Sequence, residues 1–232
     1  MVARPGAVLM IDMQNAYLRE DVRSALGWPP IWRLNETITA CSELLAAARD
    51  AGWSVIYSRQ MLSQAMNPRA ERHRRSRRAV PVLSVQEQQW RSEIIDAVAP
   101  QPGDVVLDKT RPNFFAYTEL ALVLKNLGVE RVLVAGLQTN ICVEATVRAA
   151  LEHNFEVAVA ADAVSTDGPA LHYASLNSMR VMYVEVDSWR ELMAPDAAWD
   201  KAFTTPNYGR DTGYWSEPVR RTAVAEFTRG TR

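Results

Sequence analysis

Six short apolar runs alternate with helical patterns along most of this chain, and that alternation limits its fold more than any other feature. Runs at Ala7–Asp12, Ser54–Ser58, Asp104–Leu107, Arg131–Gly136, Glu156–Ala160 and Val181–Val184 predict strands. Helical patterns fall between them, near Arg33–Ala51, Val85–Ala97, Tyr117–Leu127, Asn140–Glu152 and Pro169–Met179. Gly52 and Gly128 stand where a helix would stop before the next strand. The fold class is therefore α/β, with three layers (α/β/α) around a mostly parallel six-stranded sheet and right-handed crossovers. The pattern ends near residue 193, which predicts one domain over residues 1–193 and a C-terminal extension over 194–232.

In an open parallel sheet, residues just beyond the carboxyl ends of the strands line the ligand crevice. Three such positions carry reactive side chains. Ala7–Ile11 runs into Asp12, and Asp104-Val-Val-Leu-Asp leads to Lys109. Val132–Gly136 leads through a short polar turn to a helix expected to open near Asn140, with Cys142 in its first turn. A thiol there sits near unpaired backbone N–H groups and the positive end of the macrodipole, which favours the thiolate. A base, a cation and a nucleophile thus share one rim. Any one of them has an ordinary structural explanation: Cys142 as a core cysteine, Asp12 as a turn residue, Lys109 as a surface lysine. The set of three does not.

In these segments the chain resembles the isochorismatase-like cysteine hydrolase superfamily. The matching pieces are Ile11-Asp-Met-Gln14, Lys109-Thr-Arg-Pro-Asn-Phe-Phe115 and Thr139-Asn-Ile-Cys142-Val-Glu-Ala-Thr146. The likeness spans roughly residues 5 to 193. Asp12-Met-Gln-Asn-Ala-Tyr17 and Pro100-Gln-Pro-Gly-Asp104 are similar, within that superfamily, to amidohydrolases of ureido and carbamoyl compounds. The resemblance implies that Cys142 attacks a carbonyl carbon while Asp12 shuttles the proton. It implies that Lys109 holds both in register and favours the thiolate. It further implies an oxyanion hole from the backbone N–H groups of Gln138 and Cys142, and a cis peptide bond at Leu137–Gln138.

Metal-binding members of the superfamily, the nicotinamidases, carry an Asp and two His after the second strand. Here Ser58-Arg-Gln-Met-Leu-Ser-Gln-Ala-Met66 offers neither, and His73, His153 and His172 are dispersed. No metal and no other cofactor is expected. For the substrate, a small molecule that bears a carboxylate, the candidates are Arg59, Gln60 and Arg111, with Arg111 placed to clamp a carboxylate or to form a surface ion pair. Tyr17, Phe114 and Phe115 are candidates for an apolar wall, and Asn113 for a small polar position beside it.

Net charge of −1 gives no general argument for nucleic acid or membrane partners, and no apolar run approaches the roughly 20 residues of a membrane span. Cys41 and Cys142 form no disulfide framework, and the N-terminus lacks a signal-like apolar region, so a cytoplasmic location is expected. Cys41 lies in an amphipathic helical pattern and reads as structural. Two segments leave the pattern. Residues 69–78 hold six arginines in ten positions. They read as a solvated loop, or as a lid or subunit contact offering arginine to anions; a nucleic-acid patch lacks any supporting motif. The extension after Pro195 carries six aromatic residues, including Trp199 and Trp215, more than a disordered tail usually does. It is expected to pack on its own domain or on a neighbouring subunit of a homo-oligomer, a dimer or tetramer. The leading function is a metal-independent cysteine amidohydrolase. Competing readings are an isochorismatase cleaving a vinyl ether, against which Cys142 argues, and a non-catalytic binding protein, against which the complete triad argues.

Overall fold

In a computed structural model of the chain, residues 6–25, 27–61 and 84–204 are described. The arginine-rich segment 69–78, Met66 and most of the second-strand flank before it, and the extension beyond residue 204 lie outside the described residues. The architecture is the expected three-layer α/β/α. Strands β1 (Gly6–Ile11), β2 (Ser54–Gln60), β3 (Val105–Lys109), β4 (Arg131–Leu137), β5 (Glu156–Ser165) and β6 (Glu185–Asp187) form one sheet in the order β3-β2-β1-β4-β5-β6. Every adjacent pair is parallel.

Both faces of the central strands are buried, which is why they read as unbroken apolar runs rather than alternating ones. In β1, Ala7, Leu9 and Ile11 enter one core while Val8 and Met10 enter the other. On the second face lies α3 (Leu34–Asp50), with Cys41, Leu44, Leu45 and Ala48 turned inward. Ala158, Ala160 and Ala163 of β5 face the same side, and their small side chains let α3 pack close to the sheet. The other face is covered by α5 (Leu120–Asn126), α6 (Glu144–Glu152) and α7 (Pro169–Arg180). Short helices α1 (Asn15–Leu18) and α2 (Glu20–Ala25) follow β1, and α4 (Val85–Ser92) precedes β3. After β6 come α8 (Trp189–Leu192) and α9 (Lys201–Thr204). Among the described residues no helix is long and apolar enough to cross a membrane.

Four expected boundaries move, each for a local reason. The sixth strand is Glu185–Asp187, not Val181–Val184. Val181, Met182 and Tyr183 instead close the end of α7, with their N–H groups bonded to Asn177, Met179 and Arg180 carbonyls and Tyr183 at φ 66°. Helix α4 stops at Ser92, because Ile94 bridges to Gln14 and the Ile95 N–H bonds to Met13 O. Helix α5 starts at Leu120 rather than Tyr117, where φ is 61°. The segment expected to start a helix at Asn140 opens as a π-helical turn, Thr139–Val143, before α6 begins. Gly52 and Gly128 do end helices, both at positive φ.

The chain begins in the middle of the sheet, builds outward to β3, then crosses to β4 on the other side of β1. The carboxyl ends of β1 and β4 therefore flank a topological switch point, the place where open α/β sheets form their ligand crevice.

Candidate active site

Asp12 follows the last residue of β1 and adopts φ 50°, a left-handed conformation uncommon for a side-chain-bearing residue. It bends the chain off the strand, and its neighbours hold it there. The Asp12 N–H donates to Ser58 Oγ at 3.2 Å, and the Ser58 hydroxyl donates to Asp12 Oδ1 at 2.6 Å. Asp12 Oδ2 pairs with Lys109 Nζ at 2.7 Å, with side-chain exposures of 4% and 0%. Lys109 is the last residue of β3, not a residue past it, and stands in register with Gln60 of β2. Its ammonium also donates to Gln60 Oε1 at 2.7 Å and to Arg111 O at 3.1 Å. Three oxygens thus match its three protons.

Cys142 lies in the turn after β4, with its thiol close enough to Asp12 and Lys109 to feel both charges. The structure brings the three expected residues into one buried cluster. It corrects their electrostatics. The thiol is not stabilised as a thiolate but pushed up to about 12: burial contributes most, the Asp12 charge adds to it, and Lys109 opposes it. Cys142 sits inside a π-helical turn rather than on the first turn of a regular helix, and the adjacent carboxylate outweighs the ammonium. The resting state is a neutral thiol beside a carboxylate.

The turn itself is tightly anchored. Ile141 and Val143 N–H groups both bond to Gln138 O, and these closing bonds do not use the Cys142 N–H. The Leu137–Gln138 peptide is cis. Thr139 Oγ1 meets His172 Nδ1 at 3.1 Å, and its carbonyl accepts from Ser175 Oγ. Asn140 Oδ1 accepts from Thr166 Oγ1 at 2.6 Å. Thr146 Oγ1 donates to Cys142 O at 2.7 Å and accepts from the Phe114 N–H, tying the turn to the segment after β3. Gly136 makes the approach of β4 to β1 possible: it has φ 104°, and a Cβ there would lie 2.2 Å from Ile11 O.

Of the proposed substrate contacts, Tyr17 lies beside the cluster. Burial chiefly, and then the charges of Asp12 and Cys142, push its phenol well above the usual tyrosine value. The others serve different ends. Gln60 holds Lys109, and its own N–H bonds to Gln14 Oε1 at 2.7 Å. Arg59 pairs across the strand with Asp108 at 2.7 Å. Arg111 donates to Thr110 O and lies over the Tyr117 ring. Asn113 Oδ1 accepts the Phe115 N–H and shapes the turn. Phe114 is fully buried in the core. Phe115 stacks on His153 at 4.6 Å, beyond the far end of α6, and so packs in the core rather than walling the crevice.

Ser58, Gln14 and Thr146 also support the site; Gln14 and Thr146 stand inside the matched segments, but nothing in the sequence names the partner of any of the three. Among the described residues, no three His, Cys, Asp or Glu side chains are grouped as metal ligands. Cys41 is fully buried against Ala163 O, and burial pushes its thiol up.

Comparison with known proteins agrees with this fold. The isochorismatase domain profile matches residues 6–191. Ureidoacrylate amidohydrolase RutB of Caulobacter segnis is 33% identical over 175 residues, covering 70% of this chain and 73% of that protein. The crystal structure of an isochorismatase family protein from Desulfovibrio vulgaris superposes with a TM-score of 0.70 at 26% identity, covering 82% of this chain and 97% of the other. N-carbamoylsarcosine amidase from Thermoplasma acidophilum shares the fold, with a TM-score of 0.63 at 23% identity over 80% of this chain and 96% of that one. With the profile spanning nearly the whole described sheet and the Asp12–Lys109–Cys142 cluster at its switch point, the chain belongs to the isochorismatase family of hydrolases.

Proposed function

We propose that the protein is a metal-independent cysteine amidohydrolase that cleaves a C–N bond of a small ureido, carbamoyl or amide substrate. The observation that carries this reading is the buried cluster in which one carboxylate, Asp12, touches both the Lys109 ammonium and the Cys142 thiol. Amidohydrolase is also the activity for which its Caulobacter segnis relative is named.

A thiol held near 12 does not ionise ahead of attack at neutral pH. Its proton passes to Asp12 as sulfur bonds to the carbonyl carbon. The oxyanion that forms is held by the backbone N–H groups assigned to it, those of Gln138 and Cys142. Collapse expels the nitrogen, which takes the proton from Asp12 and leaves as ammonia or an amine. Water then attacks the thioester (a thiocarbamate for a ureido group) and gives its proton to Asp12, which returns it to sulfur. Lys109 stays paired with the carboxylate and keeps it in place. Tyr17 lines the crevice as a neutral phenol, and a carboxylate-bearing small molecule is the substrate class in this proposal. Assembly into a dimer or tetramer is part of the same proposal.

The test is ammonia release measured across ureido acids, N-carbamoyl amino acids, biuret and simple amides. At least one class should turn over, and Cys142→Ser should lose nearly all of that activity. Retention of more than a tenth, a barrier change under about 1.4 kcal/mol, overturns covalent catalysis by Cys142. Turnover is expected to survive exhaustive chelation. Loss restored by zinc, manganese or iron would overturn the metal-independent mechanism.

A further inference from the structure

We infer that Asp167 is a positioning residue for this reaction, acting through Gln138 on the turn that carries Cys142; the inference rests on the amidohydrolase reading above. Asp167 lies in the loop between β5 and α7. Its Oδ1 accepts two hydrogen bonds, from Gln138 Nε2 at 2.5 Å and from Arg23 Nη2 at 2.6 Å. The Arg23 side chain is 3% exposed and that of Asp167 30%. The guanidinium also donates from Nε to Pro29 O at 2.7 Å and from Nη1 to Tyr17 O at 3.0 Å. One carboxylate oxygen therefore joins the Gln138 turn to the α1–α2 segment that presents Tyr17 to the crevice. A buried guanidinium needs a carboxylate partner whatever the protein does, so the Arg23–Asp167 pair by itself speaks only of folding. The Gln138 bond is a different matter. Gln138 is half-buried, and water would satisfy its amide equally well. Instead, its side chain is tethered to a carboxylate already fixed by a buried arginine. That tether orders the residue whose own N–H is assigned to the oxyanion. Acyl transfer is sensitive to small displacements of such donors.

The test uses the full chain and p-nitrophenyl acetate, an activated ester that acylates a reactive thiol without requiring the natural substrate. Wild-type protein should give a burst of p-nitrophenolate that Cys142→Ala lacks. Gln138→Leu removes the tether and leaves Arg23–Asp167 intact. Its burst is expected to be roughly ten- to a hundredfold slower at an unchanged thermal midpoint. Gln138→Glu is expected to be equally slow near about pH 8, where two carboxylates repel, and to recover severalfold relative to wild type near about pH 5, where they share a proton. A purely structural role would not produce that recovery. A Gln138→Leu burst within about twofold of wild type overturns the positioning role, as does a Gln138→Glu ratio that stays flat with pH. A wild-type protein with no Cys142-dependent burst overturns the covalent reading, and this inference with it.

Discussion

At the scale of single residues, the site depends on how one carboxylate divides its charge between two neighbours. Asp12 is paired to Lys109 at 2.7 Å and accepts from Ser58 at 2.6 Å, yet its charge still raises the Cys142 thiol. The consequence is measurable as alkylation. In a Cys41→Ala background, iodoacetamide should react slowly at neutral pH, with a rate that climbs steadily through the ordinary thiol range toward about 12. A rate that levels off below the ordinary thiol value of 9.0 would show a stabilised thiolate and reverse the assignment of Asp12 as the dominant neighbour. Asp12, Lys109 and Cys142 were legible in the sequence, because each terminates or follows an apolar run and strand ends face the crevice. Their supports were not. Ser58 lies 46 residues from Asp12, and Asp167 lies 144 from Arg23. No local pattern links positions so far apart.

At the scale of elements, β4 and its turn decide whether the site forms. Gly136→Ala would place a methyl group 2.2 Å from Ile11 O, immediately before Asp12, at a φ that disfavours side chains. Overpacking and a left-handed backbone together should cost about 2–4 kcal/mol in chemical denaturation, with loss of activity as β1 shifts. Denaturation within about 0.5 kcal/mol of wild type would show that β4 can relax away from β1. The same turn rests on α7 through His172, which is neutral in the fold. Burial, and then the charge of Arg33, lower its pKa from 6.5 to about 4. A base with a depressed folded pKa binds fewer protons folded than unfolded. Its contribution is therefore complete above about 6.5 and is lost as pH falls toward about 4. Urea denaturation at about pH 7.5 and about pH 4.5 should differ by roughly 2–3 kcal/mol more in wild type than in His172→Gln. Equal differences would place the proton elsewhere.

At the scale of the molecule, the first part of the C-terminal extension closes the end of the sheet opposite the active site. Trp199 is 6% exposed and packs edge-on against Trp53 at 5.9 Å. Its indole N–H donates to Leu192 O, and Arg131 lies 3.9 Å over its ring. Up to residue 204 the extension thus packs on its own domain. Whether the remainder crosses to a neighbour concerns residues outside those described. Trp199→Ala should cost about 3–5 kcal/mol of stability while leaving turnover per folded molecule unchanged, as measured by denaturation and by assay below the transition. A loss of turnover without loss of stability would tie this end of the sheet to the active site. Truncation after Thr204 keeps the Trp199 contact and removes the rest, so light scattering on that form tests the homo-oligomer: a smaller species is expected.

The order of elements and the parallel sheet were determined by the sequence alone, which also singled out Asp12, Lys109 and Cys142 as the expected triad. Each depends on periodicity and on position relative to a strand end, and both are local properties. The sixth strand was misplaced because Val181–Val184 has the composition of a strand, while its N–H groups bond to carbonyls at the end of α7. The same limit applies to the reactive state of Cys142. Its turn is visible in the sequence, but its protonation is a balance among burial, Asp12 and Lys109, and those arrive from β1 and β3. The tertiary structure also reassigned Gln60 from substrate to Lys109, Arg59 to Asp108, and Phe115 to the core against His153. Side-chain partners are chosen by which strands become neighbours, and the order β3-β2-β1-β4 that makes them neighbours is a property of the packed sheet.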